Sequence, residues 1–163
     1  MANEVRELVA QLAAADWGTR HRAREALLDM GADAVEPLVA ALSDARDSVR
    51  WGAAKVLEQI GDERAVPGLV ERLEDGDGSV RYLAAEALGR IGDASVLPVL
   101  RALLEKADSP WFQEGAHHVL KARLSGDHAE AISPVVAALE GPDRAMAVLP
   151  RVHDALKKIE GFA

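Results

Sequence analysis

Val49-Arg50-Trp51-Gly52-Ala53-Ala54-Lys55-Val56-Leu57-Glu58-Gln59-Ile60-Gly61-Asp62 is written a second time as Val80-Arg81-Tyr82-Leu83-Ala84-Ala85-Glu86-Ala87-Leu88-Gly89-Arg90-Ile91-Gly92-Asp93. The offset is constant: 80 − 49 = 31, 92 − 61 = 31, and Pro67 to Pro98 is again 31. A fixed period of ~20–50 residues marks a stack of structural repeats. Within each copy, apolar residues recur at three- and four-residue spacing, so a helix is predicted. Gly61 and Gly92 then end that helix, and Asp62 and Asp93 cap the next one. Pro67 and Pro98 fall early in the second helix, where a missing N–H costs little. The polar stretches 42–48 and 73–79 are turn chemistry. Each repeat is therefore two antiparallel helices joined by tight turns.

Working outward, the pattern persists in weaker form. Thr19 to Gly31 aligns with Val49 to Gly61 at an offset of 61 − 31 = 30. Before it, Val5, Leu8, Val9 and Leu12 share one face of a helix predicted over 3–14, with Asn3 as N-cap. On the other side, Trp111 is placed at the position of Val80 (111 − 80 = 31), and Ala116, Val119 and Leu120 hold the apolar face. No glycine stops this helix, which is expected to reach Leu124. Ile132, Pro134, Val135, Val136 and Leu139 match Val96, Pro98, Val99, Leu100 and Leu103 at 134 − 98 = 36, so about five residues are inserted between. A last helical stripe runs through Ala145, Leu149, Val152, Leu156 and Ile159, and Pro150 is expected to kink or split it. The division is one domain, 1–163: a cap helix at 1–15, repeats at 16–46, 47–77, 78–108 and 109–139, and a terminal cap at 140–163, each end covering an apolar edge. The fold class is all-α, a right-handed αα-solenoid of about four to five helical hairpins with terminal cap helices.

Composition narrows the function classes. The chain has 163 residues, 49% hydrophobic but only 4% aromatic, so its core is built of Ala, Leu and Val. A net charge of −8 argues against a nucleic-acid partner and an anionic membrane surface. With no Cys, disulfides, thiol catalysis and cysteine zinc sites are excluded. No apolar run is long enough for a signal peptide or a span, which leads to an expected cytoplasmic location.

The middle repeats resemble the short HEAT repeats of the phycobilisome-lyase-like type. A Val-Arg start, an Ala-Ala-x-Ala-Leu-Gly-x-Ile-Gly-Asp core and an apolar second helix are met by Val80-Arg81, Ala84 to Asp93, and Val96, Pro98 and Leu100. The resemblance covers roughly 16–139. It implies that the Val-Arg helices line a concave face. On them, His21, Trp51, Tyr82 and Gln113 form one column, and Arg22, Gly52, Leu83 and Glu114 the next. Glu25, Lys55, Glu86 and His117 form a third, and Asp29, Gln59, Arg90 and Lys121 a fourth. Trp and Tyr are favoured interface anchors. One reading makes His21, Trp51, Tyr82 and Leu83 an apolar strip, flanked by Arg22 and rimmed by Lys55, Glu86, Arg90 and His117, along which a partner helix or peptide lies. The other has both rings filling grooves between repeats.

Arg20, Arg50 and Arg81 recur with each unit. They are expected to tie units together through Asp62, Asp93 or turn carbonyls, rather than to bind an anion. His117-His118 is no metal pair, because adjacent helical residues point about 100° apart. The chain has no phosphate loop, nucleophile elbow or His-Glu-x-x-His. The expected function is a non-catalytic protein- or peptide-binding scaffold, with no cofactor and no metal. Two alternatives stand beside it: an accessory subunit of a lyase or other enzyme holding a small apolar ligand in the same groove, and an adaptor assembling through its ends.

Overall fold

Gly61 adopts φ 69° and ψ 28°, the left-handed conformation that only glycine enters without a Cβ clash, and the repeated helix stops there. Gly92, at φ 93°, ends the second copy in the same place. The computed structural model describes residues 2–161. Among them are ten α-helices: α1 (Ala2–Gln11), α2 (Trp17–Met30), α3 (Val35–Ala41), α4 (Asp47–Ile60), α5 (Val66–Arg72), α6 (Gly78–Ile91), α7 (Val96–Lys106), α8 (Pro110–Lys121), α9 (Ala129–Glu140) and α10 (Arg144–Glu160). The described residues contain no strand. The architecture is an all-α solenoid.

Short 3₁₀ turns at Gly31–Ala34, Glu63–Ala65 and Asp93–Ser95 lead from α2, α4 and α6 into α3, α5 and α7. Asp62 caps its turn by accepting from the Arg64 N–H at 2.9 Å. Asp93 does not cap; it faces Arg123 at 3.6 Å. Asn3 lies inside α1, which begins at Ala2, so it is not the N-cap.

Consecutive helices pack side by side as α1 with α2, α3 with α4, α5 with α6, α7 with α8, and α9 with α10. Down the stack, α2, α4, α6 and α8 pack along one another in one layer. The shorter α1, α3, α5 and α7 form the other layer and meet more sparingly. The last pair is turned round: α9 packs on α8, and α10 packs on α7. The inserted residues permit this. Helix α8 ends at Lys121, short of Leu124, and turns fill 122–128 before α9.

One continuous core runs through the stack, with Leu27, Leu38, Leu57, Leu69, Leu88, Leu100 and Leu103 at zero exposure. Full burial of each such side chain contributes ~1.5–3 kcal/mol before chain entropy is counted. Phe112 is also fully buried, whereas Trp111 is half exposed. Phe112, not Trp111, therefore occupies the place of Val80, and the fourth unit is offset by 112 − 80 = 32 rather than 31.

Hydrogen bonds give the same register. Arg20 donates to the carbonyl of Ala14, Arg50 to Asp44, Arg81 to Asp75, and Gln113 to Ala107. In each case the acceptor lies six residues back, at the turn where the preceding short helix gives way to the long one. The repeated arginines thus fasten turn carbonyls, and glutamine does so in the fourth unit.

Candidate functional site

The outward side of α2, α4, α6 and α8 carries the columns read from the sequence, with one shift. The 32-residue offset moves Gln113 into the arginine column, puts Glu114 beside Tyr82, and puts His118 rather than His117 beside Glu86. The structure seals that last pairing: His118 Nε2 lies 2.7 Å from Glu86 Oε1. His117 turns toward α9 and meets Glu140 at 3.0 Å.

Leu83 does not line an exposed strip. It is 7% exposed and belongs to the core cluster. Its equivalents explain why: Gly52 lies directly against Leu12, and Gly115 against Leu73, where an added Cβ would stand 2.8 Å from Leu73 Cδ2. At Gly52 and Gly115 this column meets the residue that follows α1 or α5, so it packs inward there, whereas Arg22 at its head is exposed. Trp51 is half-buried against the core, with the Arg24 guanidinium 5.2 Å from its ring centre. His21 is half-buried and stacks on exposed Trp17, with ring centres 4.8 Å apart. Arg22 is exposed and donates to Thr19 Oγ1 at 3.1 Å.

Polar bridges lace the long helices together. Glu58, nearly buried on α4, accepts from Lys55 at 2.9 Å and from Arg90 on α6 at 2.8 Å. Its two cations satisfy a carboxylate that would otherwise be costly to bury. Lys121 and His117 both reach Glu140. Those two hydrogen bonds, Lys121 first, hold the Glu140 carboxyl below its ordinary range.

The open feature of this face is a cleft between α6 and α8. Gly78, Arg81, Tyr82, Ala85, Trp111, Glu114, Gly115 and His118 line a volume of about 130 Å³. Tyr82 is 59% exposed and Trp111 50%. The His118 ring meets Tyr82 edge-on at 6.0 Å, and the Arg81 guanidinium lies over Trp111 at 4.4 Å. Sequence reading named Tyr82 here but missed Trp111, Glu114, His118 and Arg81 as neighbours. The paired caps Asp77 and Ser109, both followed three residues later by a buried apolar residue, carried the signal for the true register.

Among the described residues no group of three His, Asp or Glu side chains is placed to hold a metal ion. None of the described helices is long and apolar enough to cross a membrane.

A model of HEAT repeats matches residues 5–80 and again 66–149. No curated protein matches the chain. Among solved structures, the crystal structure of an engineered protein is 25% identical, with a TM-score of 0.50, covering 96% of this chain and 79% of that one. A second engineered protein is 24% identical, with a TM-score of 0.49 and coverage of 96% and 47%. A designed armadillo repeat protein in complex with the peptide (KR)4 is 22% identical, with a TM-score of 0.48 and coverage of 94% and 80%.

Proposed function

The chain belongs to the HEAT-repeat family, and from that premise we propose that it is a non-catalytic scaffold that binds another protein, through the outward face of α2, α4, α6 and α8. These helices pack along one another more closely than α1, α3, α5 and α7 do, which supports reading their side as the inner face of the stack. An extended segment or a helix of the partner lies along that groove.

The observation that carries the reading is the pair Tyr82 and Trp111. Both rings lie largely in solvent, on a face the core does not use, at the walls of one cleft. Exposed aromatics of this kind serve as interface anchors, because they bury much area and have few rotamers to lose. The contact set is Tyr82, Trp111, Glu86, Arg90, His118 and Lys55, with His21, Arg22, Trp51 and His117 along its flanks. An enclosed apolar ligand finds less support: the cleft is well below the roughly 300–1,000 Å³ of small-molecule pockets.

The test is affinity capture from the native source with the wild type and with Tyr82→Ala/Trp111→Ala, using circular dichroism as the folding control. Hydrogen exchange of the recovered complex then locates the contact. Loss of the captured protein by the folded variant, with protection on α6 and α8, is expected. Retention by the variant, or protection on α3, α5 and α7 instead, overturns the reading.

A further inference from the structure

We infer that the α6–α8 cleft seats one basic side chain, a lysine or arginine presented by the partner. This rests on the reading of the face as the interaction surface and names what its central cleft takes.

Size comes first. About 130 Å³, bordered by Gly78, Ala85 and Gly115, accommodates one long side chain and little more. The walls come next. The Tyr82 ring and the side of Trp111 away from Arg81 present π-electron density, which attracts a cation. Trp111 already shows the preference, since the Arg81 guanidinium lies over its ring. Arg81 cannot move in to fill the cleft, because its Nη1 is tethered to the carbonyls of Asp75 and Gly76 at the start of α6.

Charge decides the sign. Glu114 lines the cleft, is exposed, and has no cation within salt-bridge distance among the described residues. Glu86 is not part of the lining and is bonded to the His118 imidazole. Within the cleft the Glu114 carboxylate is left unmatched while Arg81 is fastened to turn carbonyls, on a chain of net charge −8 that draws cations from a distance. An acidic side chain would meet the Glu114 carboxylate at close range.

The test is an NMR titration of the full chain with Nα-acetyl-arginine amide and Nα-acetyl-lysine amide. Acetyl-citrulline, acetyl-norleucine and acetyl-glutamate amides serve as controls at one ionic strength. The expected result is saturable shifts confined to residues 78–86 and 111–118, including the Trp111 indole N–H, for the two basic probes only. Trp111→Ala and Glu114→Gln, both surface changes, should each weaken binding about three- to tenfold. Equal shifts from citrulline or norleucine overturn the proposal, as does a response to the glutamate probe. So do basic-probe shifts spread over the acidic surface and unmoved by either variant. If the probes fail while Tyr82→Ala/Trp111→Ala still loses the captured protein, only the basic side chain is wrong. If the variant also keeps that protein, the face itself is wrong.

Discussion

Arg50 on α4 grips Asp75 at the foot of α6 with two hydrogen bonds, Nε to Oδ2 at 2.8 Å and Nη2 to Oδ1 at 2.9 Å. The carboxylate is 2% exposed, and the Asp77 N–H also donates to it. The carbonyl of the same aspartate accepts from Arg81. Asp75 thus joins one unit to the next. Removing one partner of a buried pair leaves an uncompensated charge, at a cost of ~3–5 kcal/mol. Arg72 remains 3.6 Å from Asp75 and softens the loss. Arg50→Met is therefore expected to lower unfolding free energy by about 2–4 kcal/mol. Arg46→Met, which breaks an exposed pair with Asp44, should cost under ~1 kcal/mol. Urea titrations of both variants check the contrast, and equal losses would show that Asp75 is not a junction.

The same aspartate sets a pH dependence. Burial pushes the Asp75 carboxyl up, but the hydrogen bonds from Arg50 and Asp77 and the charges of Arg50 and Arg72 carry it below its ordinary value. A carboxyl depressed in the folded state stabilises it above the unfolded value, ~3.9, and that stability is lost as pH falls through the folded value. Glu74, held down by Lys106, and Asp62, held down by Arg64, act with the same sign. The urea midpoint should hold from pH 7 to 5 and fall on going to pH 3. In Asp75→Asn the start is lower and the fall shallower. A variant with the wild-type slope would remove Asp75 from this account.

Two adjacent aromatics should behave oppositely. Phe112 is at zero exposure and packs in the fourth unit where Val80 packs in the third, whereas Trp111 is half in solvent. Phe112→Ala opens a cavity and should cost about 3–5 kcal/mol. Trp111→Ala loses only the stacked Arg81 and surface contacts, so under ~1 kcal/mol is expected. Thermal unfolding of the pair distinguishes the two registers. If Trp111→Ala is the costly one, the 31-residue offset is right after all.

What the sequence made legible follows from how often a feature repeats. The helix stop at Gly61 and Gly92 and the turn-fastening role of Arg50 and Arg81 were readable, because two copies at a fixed offset show which residues the fold requires. Leu83 was misread because its column was aligned with Arg22, Gly52 and Glu114, which hid that Gly52 and Gly115 pack directly on Leu12 and Leu73. Trp111 was misplaced because one extra residue ahead of α8 shifts every later position by about 100° around that helix. His118 and Glu86 then meet where His117 and Glu86 were expected. The reversal of α9 and α10 depends on how an irregular turn leaves Lys121, and no local pattern encodes that.

Pro150 was expected to kink or split the last helix, yet α10 runs unbroken from Arg144 to Glu160 with Pro150 inside it. Val148, Val152, Ala155 and Leu156 are buried on one side, while Pro150 is on the exposed side. Packing of that stripe holds the helix together across a residue that has no N–H for the Met146 carbonyl. Proline in a helix interior costs ~3 kcal/mol against alanine, part of which its stiffness in the unfolded chain returns. Pro150→Ala restores the missing hydrogen bond at a solvated position and should raise stability by about 1–2 kcal/mol. Pro110 is different: it stands first in α8, where no N–H is needed, with Ser109 capping the Phe112 N–H at 3.2 Å. Pro110→Ala should lower stability by about 0.4–1 kcal/mol. Denaturant titrations of the two variants should therefore move in opposite directions. A loss in Pro150→Ala would mean that α10 needs a bend at Pro150 to reach both α7 and α9, and that the proline is there to set it.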